Sequence, residues 1–367
     1  MHLAQKKFQE ILEHCGKINA SDIHITGGVQ PYMRIQSELR PVLDEVLTPD
    51  AVEQMAMGMM SEHQRQTFAK EHNLDFAFFS DNETRFRVNV FRQRGTVAMA
   101  IRRLDNEFRS LDDLTLPPQL LRMAEYQNGL VIVTGPTGSG KSTTLATIID
   151  QINRHRSCHI ITIEDPVEFI HRNKKSLVRQ RELHLDVLSF ADALRAALRE
   201  DSDVLLVGEM RDLETMRAAM IAAETGHLVL STLHTNDVVG AISRINSVFP
   251  AEEQDAVRNQ LARVLRAVVA QRLIDKTDKT GRVPAVEIMF VTPAISNLIR
   301  TGELQQVYSL MQTGNSEGML LLEQSLANLF AYGLITKDDA LRLARDENIF
   351  EMRVRRVQQS RGGAQPA

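Results

Sequence analysis

The sequence predicts an α/β protein: a mostly parallel sheet covered on both faces by helices, preceded by a smaller α+β module and followed by a helical C-terminal part. Three observations carry this. From Gly129 onward, short apolar runs alternate with helix-period segments, as buried parallel strands and their crossover helices do. Up to about Leu104, strands recur in succession with helices flanking them. After Pro250 the apolar residues recur mainly at helical spacing. The 367 residues exceed one ordinary domain at ~150 residues each.

In the first module, residues 1–104, a helix spans Leu3–Cys15, with Phe8, Ile11 and Leu12 at i, i+3, i+4 spacing. Asp22–Thr26 alternates as a strand, Gly27-Gly28 turns, and Tyr32–Ile35 is a second strand. Thr48-Pro49 opens a helix as cap and first-turn proline. Strands follow at Leu74–Phe79, Thr84–Phe91 and Thr96–Arg102. Charged residues and then Leu116-Pro117-Pro118 mark 105–118 as a linker.

In the second part, 119–291, strands are expected at Gly129–Thr134, His159–Glu164, Asp203–Glu209 and His227–Leu233. Helices start at Lys141 and span Phe190–Arg199 and Leu213–Glu224. In the helical region 292–352, Thr292-Pro293 opens a helix that Gly302 ends, and Met319, Leu322, Leu326, Leu329 and Phe330 stripe another. Residues 353–367 are polar and read as a flexible tail.

Composition sets the class. Apolar residues at 43% and charged residues at 25% are those of a soluble globular chain. No apolar run approaches the ~20 residues that span a bilayer, and Met1–Lys7 has no apolar core of a secretory signal. Two cysteines, Cys15 and Cys158, make no disulfide framework and read as reduced thiols of a cytosolic protein. A net charge of -4 with 5% aromatics speaks against a nucleic-acid-binding surface.

Gly135-Pro136-Thr137-Gly138-Ser139-Gly140-Lys141-Ser142 fits G-x-x-x-x-G-K-[ST], between an apolar strand and a helix. Glycines at Gly135, Gly138 and Gly140 let successive backbone N–H groups face phosphate oxygens. Thr137, Ser139 and Thr143 complete the loop and the first turn, where the helix N-terminus favours an anion. Lys141 reaches the β- and γ-phosphates and Ser142 holds Mg2+, so the cofactors are ATP and Mg2+.

Ligands of an open α/β sheet sit at the carboxyl ends of its strands. Those ends carry Glu164-Asp165, Glu209 and His234. Glu164 is the candidate for orienting the attacking water, and Glu209 for the Mg2+ side, its extra methylene favouring contact through water. Asp165 reads equally as a turn cap. His234 is placed to sense the γ-phosphate; His227, at the other end of its strand, reads as orienting a neighbouring element or a subunit contact. In Thr84–Phe91, alternation puts Phe86, Val88 and Val90 on one face and Arg85 and Arg87 on the other. Arg87, with Arg102 and Arg94, is a candidate phosphate-clamping finger, against the competing reading of a solvated charged face.

Four ordered blocks, Gly135–Thr144, Ile163–Phe169 with Gln180-Arg181-Glu182, Arg199–Asp212 and Glu224–Thr235, resemble the type IV pilus retraction ATPases of the PilT/PilU family, within the type II/type IV secretion ATPase superfamily. The resemblance implies a PAS-like N-terminal domain and a RecA-like ATPase domain. It implies a homohexamer that binds ATP between them and drives pilus retraction in twitching motility. It also implies contact with an inner-membrane platform protein, a cytoplasmic site peripheral to that membrane, and no membrane insertion. The retraction signature Ala-Ile-Arg-Asn-Leu-Ile-Arg-Glu stands here as Ala294–Thr301, with Ser296 for arginine and Thr301 for glutamate. That departure keeps an accessory ATPase as an alternative. An assembly or secretion ATPase is the next, although no cysteine beyond Cys158 supplies their usual four-cysteine zinc module and the N-terminus is short for their extra domain. A RecA-like nucleic-acid motor is the last.

Overall fold

Apolar residues at helical spacing bury one face of the first helix, α1 (Leu3–Lys17), through Phe8, Ile11, Leu12 and Cys15. The computed structural model describes residues 3–35, 38–80, 84–104 and 108–362. It divides into two compact units, Met1–Glu107 and Phe108–Ala367.

The first unit continues with β1 (Asp22–Thr26), β2 (Tyr32–Ile35), β3 (Glu38–Pro41), α2 (Pro49–Met59), α3 (Glu62–Glu71), β4 (Asn73–Phe79), β5 (Arg85–Gln93) and β6 (Thr96–Leu104). Thr48 caps α2 by accepting from the Ala51 amide at 3.2 Å. Among the described residues the strands form one sheet in the order β3-β2-β1-β6-β5-β4, every pairing antiparallel. Its helix-facing side and the helices share a core of Phe8, Ile11, Phe68, Phe86, Val88 and Met99. Alternation along β5 holds for Phe86, Val88 and Val90 but not for Arg85, which is buried rather than on a charged face. The Arg85 guanidinium stands 5.5 Å from the Phe79 ring, a contact that lets a planar cation enter an apolar strand end.

The second unit contains β7 (Gly129–Thr134), α4 (Lys141–His155), β8 (His159–Glu164), β9 (Leu177–Glu182), α5 (Phe190–Ala197), β10 (Val204–Val207), α6 (Leu213–Glu224), β11 (Leu228–Leu233), α7 (Val238–Val248), α8 (Gln254–Val264), β12 (Leu265–Asp275), β13 (Arg282–Phe290), α9 (Pro293–Thr301), α10 (Val307–Thr313), α11 (Leu322–Ala331), α12 (Lys337–Leu343) and α13 (Glu347–Gly362). The sheet order is β13-β12-β7-β11-β10-β8-β9. All neighbours are parallel except β12 and β13. Every residue of β7, β10 and β11 is buried, as strands covered on both faces require.

Three expectations are corrected. The stretch after Pro250 is mainly helical but not only helical: β12 and β13 extend the sheet with an antiparallel pair. The chain from Phe108 to Pro118 is not a free linker, because Leu111 and Leu116 are buried in the core of the second unit; the remainder of the expected linker, 105–107, lies outside the described residues. The expected flexible tail continues as α13 to Gly362, with Val354 buried against Phe350, Leu326 and Ile274; residues 363–367 lie outside the described ones.

The C-terminal helices are tied in by a buried ion pair. Glu287, 1% exposed on β13, accepts from the Val238 amide at the start of α7 at 3.1 Å. It also pairs with Arg345, whose backbone amide donates to buried Glu323 at 3.0 Å.

Candidate active site

β7 ends at Thr134, and the loop that follows takes backbone shapes that favour glycine: φ is +147° at Gly135, +77° at Gly138 and +86° at Gly140. Space is equally restrictive. A Cβ on Gly135 would lie 2.2 Å from the Gln271 carbonyl oxygen, and one on Gly140 2.8 Å from Gln271 Nε2. The loop therefore folds tightly against β12 and leaves backbone N–H groups for an anion.

Lys141, the first residue of α4, is buried, and its ammonium donates to the carbonyls of Gly135 at 2.9 Å and Pro136 at 3.1 Å. Burial lowers its pKa, while the charges of Glu209 and Glu168 oppose the shift. Ser139 Oγ is buried without a protein partner, a polar atom that a phosphate oxygen would satisfy. Ser142 and Thr137 are exposed and Thr143 half-buried.

Strand register gathers the other groups. Val207 of β10 stands opposite Ile163 of β8 and Ser231 of β11, and Leu233 of β11 opposite Thr134 of β7. Glu164, Glu209, His234 and Gly135 therefore emerge along one edge of the sheet. The Glu209 carboxylate takes a contact from Arg211 Nε at 2.6 Å and lies 3.3 Å from His234 Nε2. Arg211 was not singled out in the sequence, though it lies only two residues on. Glu164 accepts from Thr162 Oγ1 at 2.7 Å and Gln180 Nε2 at 3.2 Å. Burial pushes its carboxyl up to about 7, against the downward pull of those two hydrogen bonds.

The remaining candidates stand elsewhere. His227 precedes β11, seven residues and ~23 Å of strand away from His234. Its Nδ1 lies 3.1 Å from the Ala222 carbonyl oxygen at the end of α6, so within the chain it fastens a helix end. Arg87 and Arg102 belong to the first unit. Arg87 meets Asp75 Oδ2 through Nε at 2.9 Å and Nη2 at 2.6 Å, and Arg102 donates to Asp22 at 2.8 Å. Arg94 sits exposed in the β5–β6 turn with φ +47°.

The donor set fits nucleotide with Mg2+. Among the described residues no group of three or more His, Cys, Asp or Glu forms a metal cage. Mg2+ at phosphate sites takes one or two protein oxygens and fills the rest from phosphate and water. The Ser142 hydroxyl and the Glu209 carboxylate supply oxygens of that kind.

Comparison with known proteins agrees with this geometry. Residues 2–318 match the family described as Type II/IV secretion system protein. The chain is 46% identical to the "Type IV pilus retractation ATPase PilT" of Pseudomonas aeruginosa, over 90% of this chain and 96% of that one. It is 40% identical to the same organism's "Type IV pilus ATPase PilU", over 95% and 91%. A crystal structure of the pilus retraction motor PilT with bound ADP superposes with a TM-score of 0.88 at 47% identity, covering 94% of this chain and 98% of that one.

Proposed function

The chain belongs to the Type II/IV secretion system protein family, and from that premise we propose that it is the ATP-hydrolysing motor of type IV pilus retraction. It is an ATPase. The observation that carries the reading is one sheet edge bearing the glycine cradle with Lys141, the acids Glu164 and Glu209, and His234.

The residues divide the work. The loop amides and Lys141 hold the β- and γ-phosphates, Lys141 exchanging the Gly135 and Pro136 carbonyls for phosphate oxygens. Ser142 and Glu209 are the residues that would hold Mg2+, which would supply positive charge to offset that of the phosphates. Glu164 in its ionised form accepts a hydrogen bond from the attacking water and aims it at the γ-phosphate. His234 holds the Glu209 carboxylate in place. In a homohexamer, Arg87 and Arg102 of one subunit serve the nucleotide of its neighbour, each leaving an aspartate partner to do so. Hydrolysis shifts the chain between conformations because nucleotide binds one conformation better than the other. A cytoplasmic ring docked on an inner-membrane platform protein passes that motion to the pilus. No described helix is long and apolar enough to cross a membrane.

Deleting the gene tests the reading. Surplus surface pili without twitching support retraction; bald cells overturn it in favour of assembly. Phosphate release stimulated by DNA would instead point to a nucleic-acid motor.

A second reading, an accessory retraction ATPase, has its own observation. Ser296 of α9 donates to the Ala262 carbonyl of α8 at 2.7 Å, and Thr301 donates to the Asn297 carbonyl at 3.1 Å. Both hydroxyls are spent on helix contacts where the family signature offers charge. A pilus that still retracts without this chain would favour that reading.

A further inference from the structure

We propose that Gln271 is a positioning residue for nucleotide binding: its amide strut sets the direction of the phosphate-loop N–H groups. The proposal rests on the ATPase reading above and adds to it a residue more than a hundred positions from the loop motif.

β12 runs parallel to β7 with Ala270 opposite Thr134. Gln271 is therefore one step beyond the end of β7, beside Gly135. The side chain is 3% exposed, and both ends of its amide are used. Nε2 donates to the Ser139 carbonyl at 2.7 Å, and Oε1 accepts from Thr144 Oγ1 at 2.8 Å. One end thus grips the loop and the other grips the first turn of α4. The same residue walls off Gly135 and Gly140 from any Cβ.

Peptide geometry gives the grip its consequence. In a planar trans peptide the C=O of one residue and the N–H of the next point in opposite directions. Holding the Ser139 carbonyl against Gln271 therefore fixes the Gly140 N–H on the opposite side of that peptide, away from β12. With glycine on one side, at Gly140, this peptide plane would otherwise rotate more readily. Pre-set donors bind an anion without first having to be ordered. Only a neutral amide fits the arrangement. Glutamate has no proton for the Ser139 carbonyl, and leucine can neither give nor accept.

The test measures ADP and ATP affinity, and kcat and KM for ATP, of the full-length protein and of Gln271→Leu, Gln271→Glu, Thr144→Val and Thr144→Ser. Unfolding midpoints are taken without nucleotide. Gln271→Leu and Gln271→Glu are expected to bind ADP roughly ten- to a hundredfold more weakly, as loss of a buried partner predicts. KM for ATP should rise more than kcat falls, with the unfolding midpoint lowered by a few degrees as the stranded buried polar groups require. Thr144→Ser keeps the hydroxyl and should bind as wild type, whereas Thr144→Val should share the defect. The double variant Gln271→Leu/Thr144→Val should be no worse than its worse parent. If Gln271→Leu does not fold, the contrast between Thr144→Val and Thr144→Ser decides. Gln271→Leu binding ADP within about twofold of wild type, or Thr144→Ser failing like Thr144→Val, overturns the strut. Wild type failing to bind ADP removes the ATPase reading itself, a result distinct from loss of the strut alone.

Discussion

Glu209 and His234, at the ends of the adjacent strands β10 and β11, stand 3.3 Å apart, carboxylate oxygen to Nε2. Val207 opposes Ser231 in the strand register, so the pair is fixed by the sheet rather than by flexible loops. Arg211 braces the other carboxylate oxygen at 2.6 Å.

Glu209→Gln preserves size and removes charge. It is expected to bind nucleotide like wild type and to hydrolyse it on the order of a hundredfold more slowly, whereas Lys141→Ala abolishes tight binding. Calorimetric binding beside phosphate release checks both; wild-type turnover by Glu209→Gln would remove the assigned role.

Glu164 gives a pH dependence with a definite sign. Its carboxyl titrates near about 7 in the folded chain against an ordinary 4.5. Between those values the folded protein keeps a proton that the unfolded chain has lost, so stability declines as pH rises through that window. Glu164→Gln should therefore be more stable than wild type above pH 7 and equal to it below about 4.5. Wild-type hydrolysis at saturating ATP should climb with pH to a plateau above neutrality. A flat pH–rate profile through neutrality would show that the ionised carboxylate is not required.

Arg87 and Asp75 separate a finger from a surface ion pair. The pair is about two-fifths exposed on both sides, so its loss should change stability by under ~1 kcal/mol. Arg87→Ala is expected to slow steady-state ATP turnover at least about tenfold while a lone subunit binds ATP normally. Asp75→Ala should leave turnover intact, because it removes a competitor for the arginine and not the arginine itself. Equal defects in the two variants would make the contact structural.

Arg345→Ala leaves Glu287 and Glu323, 1% and 3% exposed, without their cation. Stranding a buried charge typically costs ~3–5 kcal/mol; here the lower end is expected, since a third of the arginine side chain remains in water. Chemical denaturation reads the loss directly, and a change below ~1 kcal/mol would mean that water reaches the carboxylates.

The phosphate loop was legible because its parts are contiguous, and Glu164, Glu209 and His234 because parallel strands put their carboxyl ends on one side. Gln271 was not. Its role depends on β12 lying beside β7, and the β12–β13 pair was lost in a stretch read as helical. Arg85 shows the limit of alternation: the period assigns a face, but the end of a strand can bury a cation beside an aromatic ring. Phe108–Pro118 shows the limit of composition, since prolines and charges do not reveal that Leu111 and Leu116 enter a core.

β13 is the outermost strand on its side of the larger sheet. The Val286 amide donates to Ser325 Oγ at 3.0 Å, and Ile288 exchanges backbone bonds with Leu320 at 2.8 and 2.9 Å. The segment 320–325 thus acts as a selvedge, finishing a border whose bare donors and acceptors would recruit strands from other molecules. A chain cut before Leu320 should accordingly keep its phosphate loop yet stick to itself, so that solubility is lost sooner than nucleotide affinity.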